Sequence, residues 1–323
     1  MKQGSVTVKV PASTANLGPG FDSLGMALNL FAWIEMDIAE KTKIELLDAN
    51  TQGVPLDKTN LIYESACNVY AAVGEPPPEL NITIKSDIPL TRGLGSSAAA
   101  IVGGMVAANA LLGEPLARRD LLQLATRLEN HPDNVGASLF GGIVVSSWDG
   151  DRAECVRIEP DPRLAVIAVI PEFTLATEQA RGLLPKQVAM QDAVHNLSHS
   201  SLLVAALATG NLSLLEFAMR DRLHQPYRAP LIPGMEAILR NATDHGALAA
   251  ALSGAGPTIL TLIDQTSGNR TRLERFLADT YAGLGMPYKT IFLHPSAEGA
   301  TLLTDGGESC KLSANKKGEI RQC

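Results

Sequence analysis

Pro89-Leu-Thr-Arg-Gly-Leu-Gly-Ser-Ser-Ala98 joins two segments of opposite character. Before it, Asn81 to Lys85 alternates polar and apolar residues, the period of a half-buried strand. After it, Gly93 to Gly113 carries no charge, so a helix there is expected to be buried on all sides. Its five glycines, with Ser96, Ser97 and Asn109, make it a poor lipid-facing span. The turn between strand and helix suits an anion. Gly93 and Gly95 let a backbone approach a polyphosphate closely. Ser96 and Ser97 stand where free N–H groups and the helix dipole favour negative charge. Alone, the same residues also fit a plain turn with a serine cap.

Outward from this segment, Val6, Val8 and Val10 alternate with polar residues, as do Leu28, Leu30, Ala32, Ile34, Met36 and Ile38. Both stretches predict strands. Between them, Pro11 to Asp22 is dense in Gly and Pro and predicts a loop. Thr59 is placed to cap a helix that runs to about Val73. Leu121, Leu122, Ala125 and Leu128 share one face of a helix from Leu116 to Glu129, which Pro132 stops. The apolar run Leu164 to Ile170 predicts a buried strand that opens a second domain near residue 160. Long helices follow over Val188 to Thr209 and Leu212 to Arg222. A helix from Met235 to His245, strands at Ala247 to Leu252 and Ile259 to Ile263, a helix from Arg272 and a strand ending at Leu293 complete the pattern. Without strict strand–helix alternation the class is α+β. The expected organisation is an N-terminal domain over 1–160, a C-terminal domain over 161–300 and a loose, polar tail over 301–323.

A chain of 323 residues with 46% hydrophobic and 19% charged residues folds as a globule and has room for two domains. A net charge of -7 disfavours nucleic acid and anionic membrane as partners, since both want a basic surface. Cys67, Cys155, Cys310 and Cys323 are scattered and form no Cys-x-x-Cys, so neither a zinc site nor a disulfide framework is expected. The start has no apolar leader, which predicts a reduced cytoplasmic setting. No Gly-Lys pair exists, which excludes a Walker loop. His-Arg-Asp and Asp-Phe-Gly, the protein-kinase signatures, are absent. Gly93-x-Gly95-x-x-Ala98 fits a dinucleotide fingerprint. However, the acidic residue at the right distance, Glu114, falls between two helices and not at a strand end. His195 and His199 have the spacing of a helical zinc pair but lack the glutamate that would follow the first; a polar helix face explains them better.

Two further segments give the glycine loop its meaning. Lys9-Val-Pro-Ala-Ser-Thr-Ala-Asn-Leu-Gly-Pro-Gly-Phe-Asp22, the loop at Pro89 to Ala98, and Leu252-Ser-Gly-Ala-Gly-Pro-Thr258 resemble, in order and spacing, the three motifs of the GHMP kinases. Glu129-Asn-His-Pro-Asp-Asn-Val135, Thr177-Glu-Gln-Ala-Arg181, Gln225-Pro-Tyr-Arg228 and Ile232-Pro-Gly234 are most similar to the homoserine-phosphorylating branch. The resemblance covers about residues 5 to 300. It implies a ribosomal-protein-like N-terminal domain, a ferredoxin-like C-terminal domain, and ATP with Mg²⁺ between them. It also implies transfer of the γ-phosphoryl group to a small alcohol and, as is common in the family, a homodimer. One departure is Asn130, where the family usually has Gly; Asn tolerates unusual backbone angles.

Carried over position by position, the resemblance makes Asn60, Pro89, Leu90, Thr91, Arg92, Gly93, Leu94, Gly95, Ser96 and Ser97 nucleotide contacts. Ser253, Gly254, Ala255 and Gly256 form the third glycine motif. Ser97 and Glu129 are the implied Mg²⁺ ligands, which suits a cation that takes hard oxygens. Homoserine presents a carboxylate, an ammonium and a hydroxyl. Arg181 and Arg228 are expected to fork its carboxylate. Asp22 meets the ammonium or hydroxyl, and Asn16, His131, Asn134 and Thr177 supply neutral contacts. Asp22, Glu129 and Arg181 form the expected catalytic set. Asp133 reads as a helix cap. Two other readings stay open: a kinase for another small alcohol such as mevalonate, which has no ammonium for Asp22, and a silent nucleotide-binding member.

Overall fold

A computed structural model describes residues 4–48, 51, 53–305 and 308–309. The chain runs β1 (Val6–Asn16), β2 (Gly20–Ile38), β3 (Lys43–Leu46), α1 (Leu61–Ala72), β4 (Leu80–Ser86), α2 (Ser96–Leu111), α3 (Arg118–Glu129), α4 (Asp133–Phe140), β5 (Ile143–Trp148) and β6 (Ala153–Ile158). It continues as β7 (Leu164–Pro171), α5 (Thr177–Gly182), α6 (Met190–Thr209), α7 (Leu215–Ala218), α8 (Gln225–Arg228), α9 (Met235–Asn241), β8 (Ala249–Leu252), β9 (Ile259–Asp264), α10 (Arg270–Leu284), β10 (Tyr288–Leu293), β11 (Thr301–Asp305) and β12 (Glu308–Ser309).

Among the described residues the strands form two sheets in a two-domain α+β fold. The first sheet runs β12-β11-β1-β2-β4-β3, with β5 on β2 and β6 on β5. The alternation at Leu80–Ser86 appears as strict burial of every second residue of β4. The uncharged α2 is buried almost all round and packs against α1, β1, β2, α3 and α4. The second sheet runs β10-β7-β9-β8, its neighbours antiparallel. That order, with helices after the first and third strands, is the ferredoxin-like arrangement. β7 is buried on both faces along its whole length, as its unbroken apolar run requires. Its side chains divide between the two hydrophobic cores: Val166 and Ala168 join one, Ile167 and Val169 the other.

Four readings of the sequence change here. The Gly/Pro-rich stretch from Pro11 is strand as far as Asn16, paired with β2; Pro11 lies at a register shift, where a missing N–H is tolerated. Asn60, not Thr59, caps α1: its side chain accepts from the Ile62 N–H, while Thr59 bonds to Asp57. The expected helix from Leu212 to Arg222 is one 3₁₀ turn plus the short α7, after which the chain bends to let Asp221 cap α8. Residues 294–305 leave the second sheet and return to the first domain. Arg118 Nη2 donates to the Ala300 carbonyl at 2.7 Å, and β11 pairs with β1, so 301–305 is not loose. Residues 310–323, with Cys310 and Cys323, lie outside the described residues. No helix among the described residues is long and apolar enough to cross a membrane.

Candidate active site

Backbone geometry builds the glycine-rich end of the site. Gly93 and Gly95 have φ of 80° and 70°, conformations that cost an L side chain. A Cβ at Gly95 would also overlap Ser13 Oγ, and one at Gly93 the Ser253 carbonyl. That closeness is how the three glycine-bearing segments become one unit. The Ser13 N–H donates to the Leu94 carbonyl at 3.1 Å, and the Gly254 N–H donates to the Ala15 carbonyl at 3.3 Å. Ser253 Oγ bonds to Thr14 Oγ1 and the Gly93 carbonyl. Gly95 caps α2 without a side-chain hydrogen bond, so the helix start keeps its donors for an incoming anion.

In the first turn of α2, Ser97 Oγ donates to Glu129 Oε2 at 2.8 Å, although 32 residues separate them. Glu129 ends α3, and Asn130 follows with φ 65°, ψ 14°. This left-handed turn is one that Gly or Asn adopts readily, and it brings His131 back beside Glu129, Nε2 to Oε1 3.9 Å. His131 Nδ1 lies 2.6 Å from Asp133 Oδ1, which also accepts from the Asn134 N–H. Burial works against the charged imidazole. Asp133 first, then Glu129 and Asp22, outweigh it and lift the His131 pKa above its ordinary value. Asn134 Nδ2 donates to Ser13 Oγ at 3.0 Å, tying α4 to β1.

The third side is cationic. Asp22, φ 55°, takes both terminal nitrogens of Arg181, Nη1 to Oδ2 at 3.0 Å and Nη2 to Oδ1 at 2.6 Å. The fork expected to lie free on Arg181 is therefore engaged by Asp22. Asn16 Oδ1 accepts from the Asp22 N–H, and Asn16 Nδ2 donates to the Gly254 carbonyl. Arg228 is 1% exposed and, among the described residues, has no carboxylate oxygen within ion-pair distance. Burial, then the Arg181 charge, push its pKa down to about 10, which still leaves it cationic at neutral pH. The Phe21 ring lies 5.4 Å from each guanidinium.

These groups line a cleft of about 140 Å³ between the two domains. Asn16, Asp22, Thr91, Gly93, Gly95, Ser96, Ser97, Glu129, His131, Asn134, Arg181, Arg228, Gly254, Ala255 and Gly256 all face it. Pro89, Leu90, Arg92, Leu94 and Ser253 do not; Leu94 and Ser253 are fully buried behind the wall. Asn60 is not in the wall either. Its amide is spent on Ile62 N and the Pro55 carbonyl, a capping role. The Thr177 side chain lies outside the described residues. A larger cavity, about 790 Å³, opens on the other side of α8 but holds none of the glycine segments. Chemistry, not size, selects the smaller cleft. Sequence reasoning missed Phe21 and Asp133 as wall residues. Adjacency to Asp22 was the signal for the first, and a carboxylate two residues beyond His131 was the signal for the second.

Known proteins match this chain along most of its length. The family descriptions "GHMP kinases N terminal domain" and "GHMP kinases C terminal" fit residues 60–142 and 203–282. A homoserine kinase of Moorella thermoacetica is 45% identical over 296 residues, 92% of this chain and 99% of that protein. One from Deinococcus radiodurans is 45% identical over 87% of this chain and 91% of its own length. The crystal structure of homoserine kinase from Cytophaga hutchinsonii superposes with a TM-score of 0.83 at 29% identity, covering 93% of this chain and 98% of that one.

Proposed function

We propose that this chain, which belongs to the GHMP kinase family, phosphorylates the hydroxyl of L-homoserine with ATP, giving O-phospho-L-homoserine for threonine synthesis. The observation that carries the reading is Arg228: a buried cation on the cleft wall with no carboxylate partner among the described residues. A substrate carboxylate supplies the missing charge. Asp22, on the same side, meets the ammonium, Asn16 and Asn134 offer neutral contacts, and His131 offers an imidazole whose proton its carboxylate neighbours favour. The reaction forms a bond from the homoserine oxygen to the γ-phosphorus, breaks the bond to the bridging β–γ oxygen, and releases the hydroxyl proton. Phosphoryl transfer depends on positioning and charge neutralisation more than on covalent help.

In this reading the loop from Thr91 to Ser97 and the start of α2 cradle the β- and γ-phosphates. Ser97 and Glu129, two hard-oxygen ligands 2.8 Å apart at the cleft, fit Mg²⁺. A bound Mg²⁺ would neutralise phosphate charge there. Asp22 binds and orients the acceptor and is not assigned as a general base. Cytoplasmic residence and a homodimer belong to the same reading; light scattering tests the latter. A coupled ADP-release assay over homoserine, mevalonate and galactose tests the function. Turnover with mevalonate and none with homoserine would overturn it.

A further inference from the structure

We propose that His224, a residue outside the cleft wall, is a positioning residue that aims Arg228 at the acceptor's carboxylate; this rests on the homoserine reading above. The His224 side chain is wholly buried. Its Nε2 lies 2.7 Å from the Gly18 carbonyl oxygen, which can only accept, so Nε2 carries the proton. Nδ1 therefore offers a lone pair. Arg228 Nη1, which can only donate, lies 3.2 Å from it. Burial above all keeps the ring neutral, with the Arg228 charge acting in the same direction and Asp221 against it.

The consequence is visible in how Arg228 uses its donors. Nε donates to the Ala180 carbonyl at 3.3 Å, and Nη1 donates to the Gly254 carbonyl at 3.0 Å and to His224. Nη2 has no partner among the described residues, and Arg228 lines the cleft. Nη2 is thus the nitrogen left for a ligand, met end-on. The Phe21 ring stacks on His224 at 5.2 Å and holds the assembly from one side. A neutral acceptor matters here. A carboxylate at position 224 would orient Arg228 equally well but would neutralise it and compete with the substrate. His224 orients the cation and leaves its charge unpaired.

The test compares His224→Leu, which removes the acceptor, with His224→Gln, whose amide can still accept from Arg228 and donate to Gly18. Initial rates are measured with homoserine and ATP, and with 2-amino-1,4-butanediol, the acceptor whose carboxylate is reduced to an alcohol. His224→Leu is expected to raise the homoserine KM about tenfold, to leave the ATP KM unchanged, and to match wild type in kcat/KM for the aminodiol. His224→Gln should restore most of the homoserine KM. Unchanged homoserine KM in His224→Leu, or a rise in both KM values that His224→Gln does not reverse, overturns the proposal. Should the variants fail to fold, ¹⁵N NMR of the wild-type ring decides. A neutral ring protonated on Nε2 supports the assignment, and a cationic or Nδ1-protonated ring refutes it. Absence of wild-type turnover with homoserine would instead count against the function reading.

Discussion

Asp22→Asn separates binding from proton abstraction at the acceptor. Residue 22 sits at φ 55°, where Asn is tolerated as well as Asp, so the backbone does not resist the change. The variant keeps the amide N–H bond to Asn16 and loses the carboxylate that holds Arg181 at 3.0 and 2.6 Å. Those two side chains are 36% and 34% exposed, so water screens the pair. Its loss costs about 1 kcal/mol of stability, a fall in Tm of about 2–4 °C or less. The acceptor suffers more. Its ammonium loses a charge-assisted partner worth about 1.5–3 kcal/mol, which is about ten- to 150-fold in KM. A loose transition state leaves the hydroxyl proton in place until late, so kcat should fall less than KM rises. Coupled initial rates at varied homoserine and pH check this. A binding role keeps the acid limb of kcat. The reasoning is refuted if the homoserine KM barely moves while kcat collapses and its acid limb vanishes, because Asp22 would then be the base.

Glu129→Gln should lower kcat about a hundredfold or more by weakening neutralisation of the phosphates, with partial recovery at high Mg²⁺ and homoserine binding by calorimetry nearly intact; wild-type turnover would remove Glu129 from the metal. Asp133→Asn should lower the His131 pKa, followed by NMR titration. The folded pKa is raised, so the stabilisation from His131 is complete below the ordinary 6.5 and is lost as pH rises through the folded value. The melting gap between wild type and this variant should therefore be widest on the acid side and narrow above it; a gap that widens with pH contradicts the sign. Gly95→Ala should destabilise by about 1–3 kcal/mol, since φ 70° is costly for Ala and the new Cβ meets Ser13 Oγ. Its ATP KM should rise and its homoserine KM should not. Unaltered melting would mean that the loop relaxes at no cost.

What the sequence made legible follows from which forces are local. The strand-to-helix glycine turn was readable because its demands fall on consecutive residues: glycines at Gly93 and Gly95, then a helix start at Ser96. The period-two pattern of β4 and the charge-free α2 reported burial directly. Pro11 to Asn16 was misread because Gly and Pro density is a local signal, whereas pairing with β2 on one side and closure by Gly254 on the other are not. The strand after Ala300 was invisible for the same reason: a polar tail has no period to show until β1 offers its edge. Within the site, residue types were legible and their partners were not. Asp22 and Arg181 are 159 positions apart, and His224 reaches Gly18 across 206. Asn130 marks the boundary between the two kinds of information. It departs from the family's glycine, and Asn was expected to tolerate the backbone angles there. Its left-handed φ of 65° makes it the residue that keeps the turn while changing the side chain. At that position backbone conformation, and not side-chain identity, holds Glu129 beside His131.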